Sequence, residues 1–229
     1  MQSSKFIRST FPSLFTKQSN LFRYRLAPEH RFPSALEDCY SVSREFFTHS
    51  HRIILSGDSA GGNLALAVTQ RLIQSGYQPY LLCLLYPSLQ FFDFTLPSYQ
   101  TYLKRNILGM LNEENLLSMV SLLDGKTLPI NRDILSNSHV SFDDHEKFYP
   151  YMNRTKYLSV PHQFNRSHSE NETLINQYKY LLTPSMSPLL VSDEQLMQLP
   201  ITLLFTTEFD IVRDEGKTNT FPSLSLSID

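Results

Sequence analysis

The sequence predicts an α/β fold with a mostly parallel sheet flanked by helices, from three observations. An apolar run at Ile53–Gly57 leads at once into a helical pattern at Ser59–Ser75, and a second apolar run follows at Tyr80–Tyr86. Continuous apolar runs are typical of parallel strands that are buried on both faces. We therefore expect residues 53–86 to form one βαβ unit with a right-handed connection. A third run, Ile201–Thr207, predicts a further strand of the same sheet.

Local patterns predict the remaining elements. A short strand is expected at Leu21–Leu26, and a helix at 34–47 with Ser34 as N-cap and Glu37 completing a capping box. Further helices are expected at Asn112–Leu123, around Asn171–Tyr180 and, as a short turn, at Asp193–Gln198. Residues 92–180 are otherwise polar and rich in loop-forming residues, which indicates an insertion rather than more sheet.

Composition and charge exclude several classes of protein. The net charge of −2 gives no electrostatic basis for binding nucleic acid. No apolar run approaches the roughly 18 residues that indicate a membrane span. Cys39 and Cys83 have no metal-site spacing, and whether they pair is left open. Residues 1–25 contain five basic residues and no acid, as in a transit peptide. An irregular tail is the alternative we prefer, because Pro12 interrupts any amphipathic helix there.

The stretch Gly57-Asp58-Ser59-Ala60-Gly61 has the Gly-x-Ser-x-Gly spacing of a nucleophile elbow. In such a turn the two glycine positions must be nearly free of side-chain atoms. Ser59 is then strained, with its hydroxyl exposed at the carboxyl edge of the sheet. The backbone N–H of Ala60, at the positive end of the next helix, is the expected oxyanion donor. The alternative is a plain strand-to-helix turn in which Ser59 serves only as N-cap.

Asp210 is the second candidate, because it follows the apolar run at Ile201–Thr207. In an open α/β sheet, catalytic groups lie in the crevice at the carboxyl ends of the strands. Ser59 and Asp210 both satisfy this condition. We expect them at the same edge, separated by a gap that an imidazole would fill.

Several motifs together resemble the arylacetamide deacetylase family, in the hormone-sensitive-lipase group of α/β-hydrolases. They are Tyr24-Arg25-Leu26-Ala27-Pro28-Glu29, Gly57-Asp58-Ser59-Ala60-Gly61-Gly62-Asn63-Leu64-Ala65, Tyr86-Pro87-Ser88-Leu89-Gln90, Ser187-Pro188-Leu189-Leu190 and Phe209-Asp210-x-x-Arg213-Asp214-x-Gly216. The resemblance implies a partial α/β-hydrolase fold with a cap insertion at about 92–180. It implies hydrolysis of lipophilic carboxylic esters and amides without a cofactor, with Ser59 as nucleophile and Asp210 as triad acid. For the family it also implies lipid metabolism at the endoplasmic reticulum membrane or lumen.

The sequence departs from that family at three places. Residues 1–23 contain no Gly or His, so no His-Gly-Gly-Gly oxyanion loop precedes Tyr24, and no signal-anchor is visible. No His follows Asp210. We therefore expect a divergent tail at 1–23, an incomplete hydrolase domain at 24–217 and a divergent tail at 218–229, as in a truncated form. In such a chain Ile201–Thr207 becomes a sheet edge, and the isolated chain is aggregation-prone.

A replacement base is expected to be absent. His49 and His51 precede the strand that leads to Ser59, at the opposite end of the sheet. His30 lies on the carboxyl side of its strand, within a motif that has no catalytic role in the family. The other histidines lie in the insertion, and we expect most of them to be solvated loop residues: His139, His145, His162 and His168. For His145 and its acidic neighbours, a solvated charge run is favoured over a metal site.

Two functions of different class follow. The first is a serine carboxylic ester hydrolase acting through an acyl-enzyme at Ser59. The second is a catalytically inactive form that binds ligands or other chains. Three glycosylation sequons, at Asn153, Asn165 and Asn171, modestly favour a surface exposed to a lumen.

Overall fold

The computed structural model describes residues 20–50, 52–103, 111–125, 131–152, 170–217 and 225–227. Four described strands form one sheet: β1 (Ile54–Asp58), β2 (Leu81–Leu85), β3 (Ile201–Thr206) and β4 (Ser225–Ser227). The described α-helices are α1 (Ser34–Phe46), α2 (Ala60–Gln74), α3 (Pro97–Tyr102), α4 (Glu113–Asp124), α5 (Phe142–Phe148), α6 (Glu172–Tyr178), α7 (Asp193–Leu196) and α8 (Arg213–Lys217). Short 3₁₀ helices cover Arg132–Ser136, Tyr149–Met152 and Lys179–Leu182. None of the described helices is both long and apolar enough to cross a membrane.

The sheet is parallel throughout, and its strand order is β1-β2-β3-β4. Asp58 pairs with Leu85, and Leu85 pairs with Phe205, so the carboxyl ends of three strands lie in one row. This register brings the residues that follow β1, β2 and β3 to the same edge of the sheet. The predicted parallel βαβ unit is confirmed, with α2 as the helix between β1 and β2.

Two expectations about strands are wrong. Ile201–Thr207 is not an edge of the described sheet, because β4 pairs with it from Leu204 to Thr206. Leu21–Leu26 forms no described strand. Asp38 of α1 instead binds the backbone N–H of Arg25 and, at 2.7 Å, its guanidinium, so a side chain does what a neighbouring strand would do. Within the described residues β1 and β4 each pair on one side only, so these two strands form the edges of the sheet.

The core lies between the sheet and the residues that cover it. Leu82 and Leu84 of β2 are fully buried, and so are Leu66 and Leu72 of α2. Aromatic side chains from the segment after β2 extend this core towards α5. Phe92, for example, meets the ring of Phe148 edge-on at 6.0 Å between centroids. Burial of such side chains is the main favourable contribution to folding.

Some of the predicted helix caps are confirmed by the structure, and one is wrong. Asn112 caps α4 as predicted, with its side chain accepting from the Asn115 N–H, and Gly76 has the positive φ (85°) expected after a helix end. Ser34 does not cap α1, because the helix already begins at Ser34. Glu37, assigned to that capping box, instead binds Arg71 of α2 at 2.6 Å. Tertiary packing of α1 against α2 thus replaces the local cap.

Removing β4 tests the pairing that the structure gives to β3. In a chain that ends at Lys217, we expect faster backbone hydrogen exchange at residues 204–206 and more self-association, because an uncovered edge offers unpaired N–H and C=O groups. Exchange followed by mass spectrometry, with size-exclusion chromatography, measures both effects. A chain that lacks only Ile228 and Asp229 keeps β4 and is the control. Equal exchange in the two chains would contradict the β3–β4 pairing.

Candidate active site

Ser59 has a strained backbone at the junction of β1 and α2. Its φ is 50° and its ψ is −119°, a region that non-glycine residues rarely occupy, and its side chain makes no capping hydrogen bond. Five of the described N-caps have extended backbones and side chains that accept a backbone N–H: Asn112, Asn131, Ser141, Asn171 and Ser192. Ser59 shares neither property, so the plain N-cap interpretation does not describe it. The conformation is that of an elbow.

The two glycines of the motif are not equivalent. A Cβ added to Gly57 would collide with the carbonyl group of Gly61, because the backbones of β1 and α2 meet there. A Cβ on Gly61 would meet only a carboxylate oxygen of Asp58, at an ordinary 3.8 Å. The expectation that the second glycine must be free of side-chain atoms is therefore wrong. Gly62 is the other tight position, since its Cβ would lie 2.7 Å from Cβ of Pro87.

The loop that follows β2 is bonded to the elbow. The Ser59 N–H donates to the Leu85 carbonyl at 2.9 Å, and the Ser88 N–H donates to the Ser59 carbonyl at 3.3 Å. Asn63, one turn into α2, donates through its buried side chain to the carbonyls of Ser88 and Met186, both at 2.8 Å. These bonds hold the backbone of Ser59 while its side chain stays exposed.

Ala60 is the first residue of α2. The N–H groups of a helix's first turn have no partner within the helix, and they carry the positive end of its dipole. The Ala60 N–H is thus a backbone donor at the positive end of α2, next to Ser59.

Asp210 lies in the loop after β3, at the same edge of the sheet as Ser59. Its carboxylate accepts from the Val212 N–H at 3.1 Å and from the Thr207 hydroxyl at 3.4 Å. Burial raises the pKa of Asp210, and these hydrogen bonds oppose the rise. With β2 between them, the strands that end at Ser59 and Asp210 are about 10 Å apart.

Tyr86 occupies the position between them, directly after β2. It is a bulky residue with a positive φ of 36°, and its N–H donates to the Phe205 carbonyl at 2.7 Å. Burial raises the pKa of Tyr86, and the negative charges of Asp58 and Asp210 raise it further. Tyr86 therefore lies within electrostatic reach of the acids at both neighbouring strand ends.

No described imidazole hydrogen-bonds to Ser59 or Asp210. His139 is fully buried, with Nε2 at 2.8 Å from the Phe91 carbonyl, and His145 is buried against the ring of Phe92. The expectation that these two are solvated loop residues is wrong, because the segment around them folds into packed helices. Three further histidines lie outside the described residues: His51, His162 and His168.

The acidic residues around His145 lie on α5. Among the described residues, no group of three or more His, Cys, Asp or Glu side chains is arranged to hold a metal ion. Asp143 and Asp144 lie in the first turn of α5, where negative charge is favourable, and the Ser141 hydroxyl caps that helix. These acidic residues therefore belong to a helix, whereas the sequence predicts loop residues there.

Sequence reasoning missed a pair of buried carboxylates on α8, just after Asp210. Asp214 accepts from the Ser98 N–H at 2.8 Å and from Arg213 at 2.9 Å. Glu215, also fully buried, accepts from four groups of the segment that follows β2. They are the Leu89 N–H at 2.5 Å, the Gln90 N–H at 3.3 Å, the Gln90 side chain at 3.0 Å and the Tyr99 hydroxyl at 2.5 Å. The sequence feature at this place is Arg-Asp-Glu-Gly shortly after a strand. From sequence alone it cannot be distinguished from a solvated turn.

Comparison with known proteins agrees with this geometry. A family described as having the α/β-hydrolase fold matches residues 20–136, a stretch that includes the elbow. The chain belongs to the α/β-hydrolase family. The predicted fold class is thereby confirmed, with the partial sheet described above.

Among curated proteins, this hydrolase is similar to arylacetamide deacetylases. It is 33% identical to arylacetamide deacetylase of Bos taurus over 84% of the chain and 51% of that protein. It is 31% identical to arylacetamide deacetylase-like 2 of Homo sapiens and 30% identical to neutral cholesterol ester hydrolase 1 of Bos taurus, with the same coverage. The predicted resemblance is confirmed, and the chain spans about half the length of these relatives.

Solved structures support the fold alone. A fungal esterase of Rhizomucor miehei matches with a TM-score of 0.57 at 24% identity, over 90% of this chain and 52% of that one. A carboxyl esterase of Tuber melanosporum matches with a TM-score of 0.59 at 18% identity, over 89% and 54% of the two chains.

The elbow predicts unequal effects at its two glycines. Gly57→Ala should lower the free energy of unfolding by at least about 3 kcal/mol, because backbone must move to admit the methyl group. Gly61→Ala should change it by no more than about 1 kcal/mol, since alanine also favours the helix. Denaturant unfolding of both variants measures the difference, and Gly61→Ala is the matched control. Equal losses would contradict the close approach at Gly57.

Glu215 predicts a pH dependence of stability. Burial raises the pKa of Glu215 from 4.5 to about 7. Between pH 4.5 and 7, Glu215 therefore stays protonated in the folded state but loses its proton in the unfolded state. The contribution of this proton to the free energy of unfolding is fully present below pH 4.5 and is lost as the pH rises to 7. Between those limits, the stability of the wild type relative to Glu215→Gln should fall by about 3 kcal/mol. Denaturant unfolding at several pH values tests this, and parallel curves for the two proteins would contradict it.

Proposed function

We propose that this chain provides the nucleophile and the acid of a serine carboxylic ester hydrolase. The observation that carries the proposal is the strained, exposed Ser59 at the end of β1, with Asp210 at the same edge of the sheet. Strain of this kind persists only where surrounding structure imposes it, and it is concentrated at functional sites. Membership of the α/β-hydrolase family and similarity to deacetylases and esterases support the same chemistry.

In the proposed reaction the Ser59 hydroxyl gives its proton to a base and attacks the ester carbonyl. The bond to the alcohol oxygen then breaks, the alcohol leaves with that proton, and water hydrolyses the acyl-enzyme to release the carboxylic acid. The Ala60 N–H and the positive end of α2 stabilise the oxyanion as it forms. A general base must take the serine proton, and Asp210 orients that base and stabilises its charged form. A neighbouring imidazolium would also offset the burial that raises the pKa of Asp210.

The base and a further oxyanion donor have no assigned residue in this sequence. No His follows Asp210 among the 229 residues, and residues 1–23 contain neither Gly nor His. We therefore propose that the chain by itself turns over esters very slowly, and that efficient hydrolysis needs a base supplied to Ser59. Loss of the base alone removes most of the activation of a serine hydroxyl.

The proposed substrates are lipophilic esters and amides. Two groups of relatives have names that refer to an arylacetamide and to a cholesterol ester. Both are acyl derivatives with a large apolar part. By the same resemblance, the family's proposed compartment is the endoplasmic reticulum membrane or lumen, with a role in lipid metabolism.

The proposed compartment has its own test, the use of the sequons. Asn171 is half-exposed, and its side-chain oxygen caps α6. Asn153 and Asn165 both lie outside the described residues. A mass decrease on glycosidase treatment of the chain expressed in animal cells, lost in Asn→Gln variants, would support a lumenal location.

A second function is a catalytically inactive chain that binds ligands or another chain. The absence of a described imidazole bonded to Ser59 or Asp210 favours this alternative. Added imidazole discriminates between the two, because it can replace a missing base but cannot create a nucleophile.

We expect the purified chain to hydrolyse an aryl acetate no faster than its Ser59→Ala variant. In the presence of added imidazole, we expect a rate for the wild type several-fold above that of Ser59→Ala. The variant is the necessary control, since free imidazole itself cleaves aryl acetates. Product release followed by absorbance measures both rates, and mass spectrometry detects an acyl group on Ser59.

Each outcome is decisive for one part of the proposal. Hydrolysis without imidazole that Ser59→Ala abolishes would show that the chain already holds a base. Equal rates for wild type and variant at every imidazole concentration, with no acylation of Ser59, would refute the role of Ser59 and favour the binding function.

A further inference from the structure

The buried Glu215 is connected to the elbow through a short chain of hydrogen bonds. Its carboxylate accepts the N–H groups of Leu89 and Gln90, which lie in the loop between β2 and α3. In the same loop, Ser88 donates its N–H to the Ser59 carbonyl and accepts from the Asn63 side chain. One side of this loop is thus bound by the acid on α8, and the other side by the elbow.

α8 also connects Glu215 to the second candidate residue. The helix begins three residues after Asp210, and the Arg213 N–H donates to the Asp210 carbonyl at 3.3 Å. The adjacent Asp214 and the Ile211 carbonyl both bind Ser98 at the start of α3. The loop that carries Asp210, the start of α3 and the loop after β2 are therefore joined by one buried polar network.

We propose that Glu215 is a positioning residue for the nucleophile. Its carboxylate holds the loop after β2 against the elbow, and so sets the position of Ser59 relative to Asp210. A buried carboxylate is suited to this task, because it accepts several N–H donors at once and such charge-assisted bonds are stronger than neutral ones. The inference rests on the proposed roles of Ser59 and Asp210.

The charge on Glu215 decides how firmly it holds the loop. The ionised carboxylate accepts all four donors, whereas the neutral acid has a hydroxyl proton that competes with them. Burial raises the pKa of Glu215 to about 7, so both forms occur near neutral pH. Titratable and charged groups near it are Tyr99 on α3, which donates to it, and Arg213 paired with Asp214 on its own helix. Asp210 acts on Tyr99, and buried His139 binds the carbonyl of Phe91, the residue after Gln90. Of these residue types only histidine ordinarily titrates near pH 7, and Glu215→Gln distinguishes a step due to Glu215 from one due to His139.

The test uses Ser59→Cys, whose alkylation by iodoacetamide reports the surroundings of position 59 without any ester hydrolysis. Besides the ionisation of the introduced thiol, we expect its alkylation rate to show a step near pH 7. Adding Glu215→Gln should remove the step and change the rate at pH 8 at least 3-fold. Glu215→Asp, which keeps the charge, should restore the step. Glu194→Gln, the same change at an exposed glutamate on α7, should alter neither.

Alkylation of Cys39 and Cys83, both partly buried, is measured by mass spectrometry in the same samples, and its rate reports global unfolding. A step that persists in Glu215→Gln, with Cys39 and Cys83 still protected, would overturn the proposal. If Glu215→Gln unfolds the protein, the pH dependence of the backbone amide NMR signals is measured instead, in the chain that keeps Glu215. The Leu89, Gln90 and Ala60 amides should then titrate together near pH 7. Titration of Leu89 and Gln90 without Ala60 would also overturn it, whatever the esterase assay shows.

Discussion

The turn from β1 into α2 depends on contact between two backbones that no side chain separates. The carbonyl of Gly61 occupies the space that a Cβ on Gly57 would need, and Pro87 closes against Gly62 from the neighbouring strand end. Because the two backbone segments are this close, the turn between them is made at Ser59. Its backbone takes a conformation that is unfavourable by about 1–3 kcal/mol. Exposure of the Ser59 side chain and the position of the α2 N-terminus both follow from this contact.

The strain at Ser59 is supported by polar groups buried beneath the sheet edge. Asn63, Glu215 and Asp214 each satisfy backbone groups of segments that are far away in sequence. A buried carboxylate is costly unless it is fully hydrogen-bonded, so such groups fix one arrangement of their partners rather than adding much stability. Here the fixed arrangement is that of the strand ends that carry Ser59, Tyr86 and Asp210.

Sequence patterns predicted the elements whose signals are local. The apolar runs before Ser59, Tyr86 and Asp210 identified three parallel strands, and Asn112 identified the start of α4. Errors arose where a distant partner decides the structure. Leu21–Leu26 resembles a strand, yet Asp38 binds its arginine, and His139 is polar, yet the core encloses it. Neither partner can be recognised from neighbouring residues.

By itself the sequence determined the α/β class, the elbow at Ser59 and the placement of Asp210 after a strand. It did so because strand, turn and helix signals depend on periodicity and on residues within a few positions of one another. Only the tertiary structure decided that β4 rather than solvent meets β3, that Gly57 and Gly62 are the tight glycines of the elbow, and that Glu215 binds the loop after β2. Those outcomes depend on contacts between residues up to 126 positions apart, whose geometry exists only once the chain has folded.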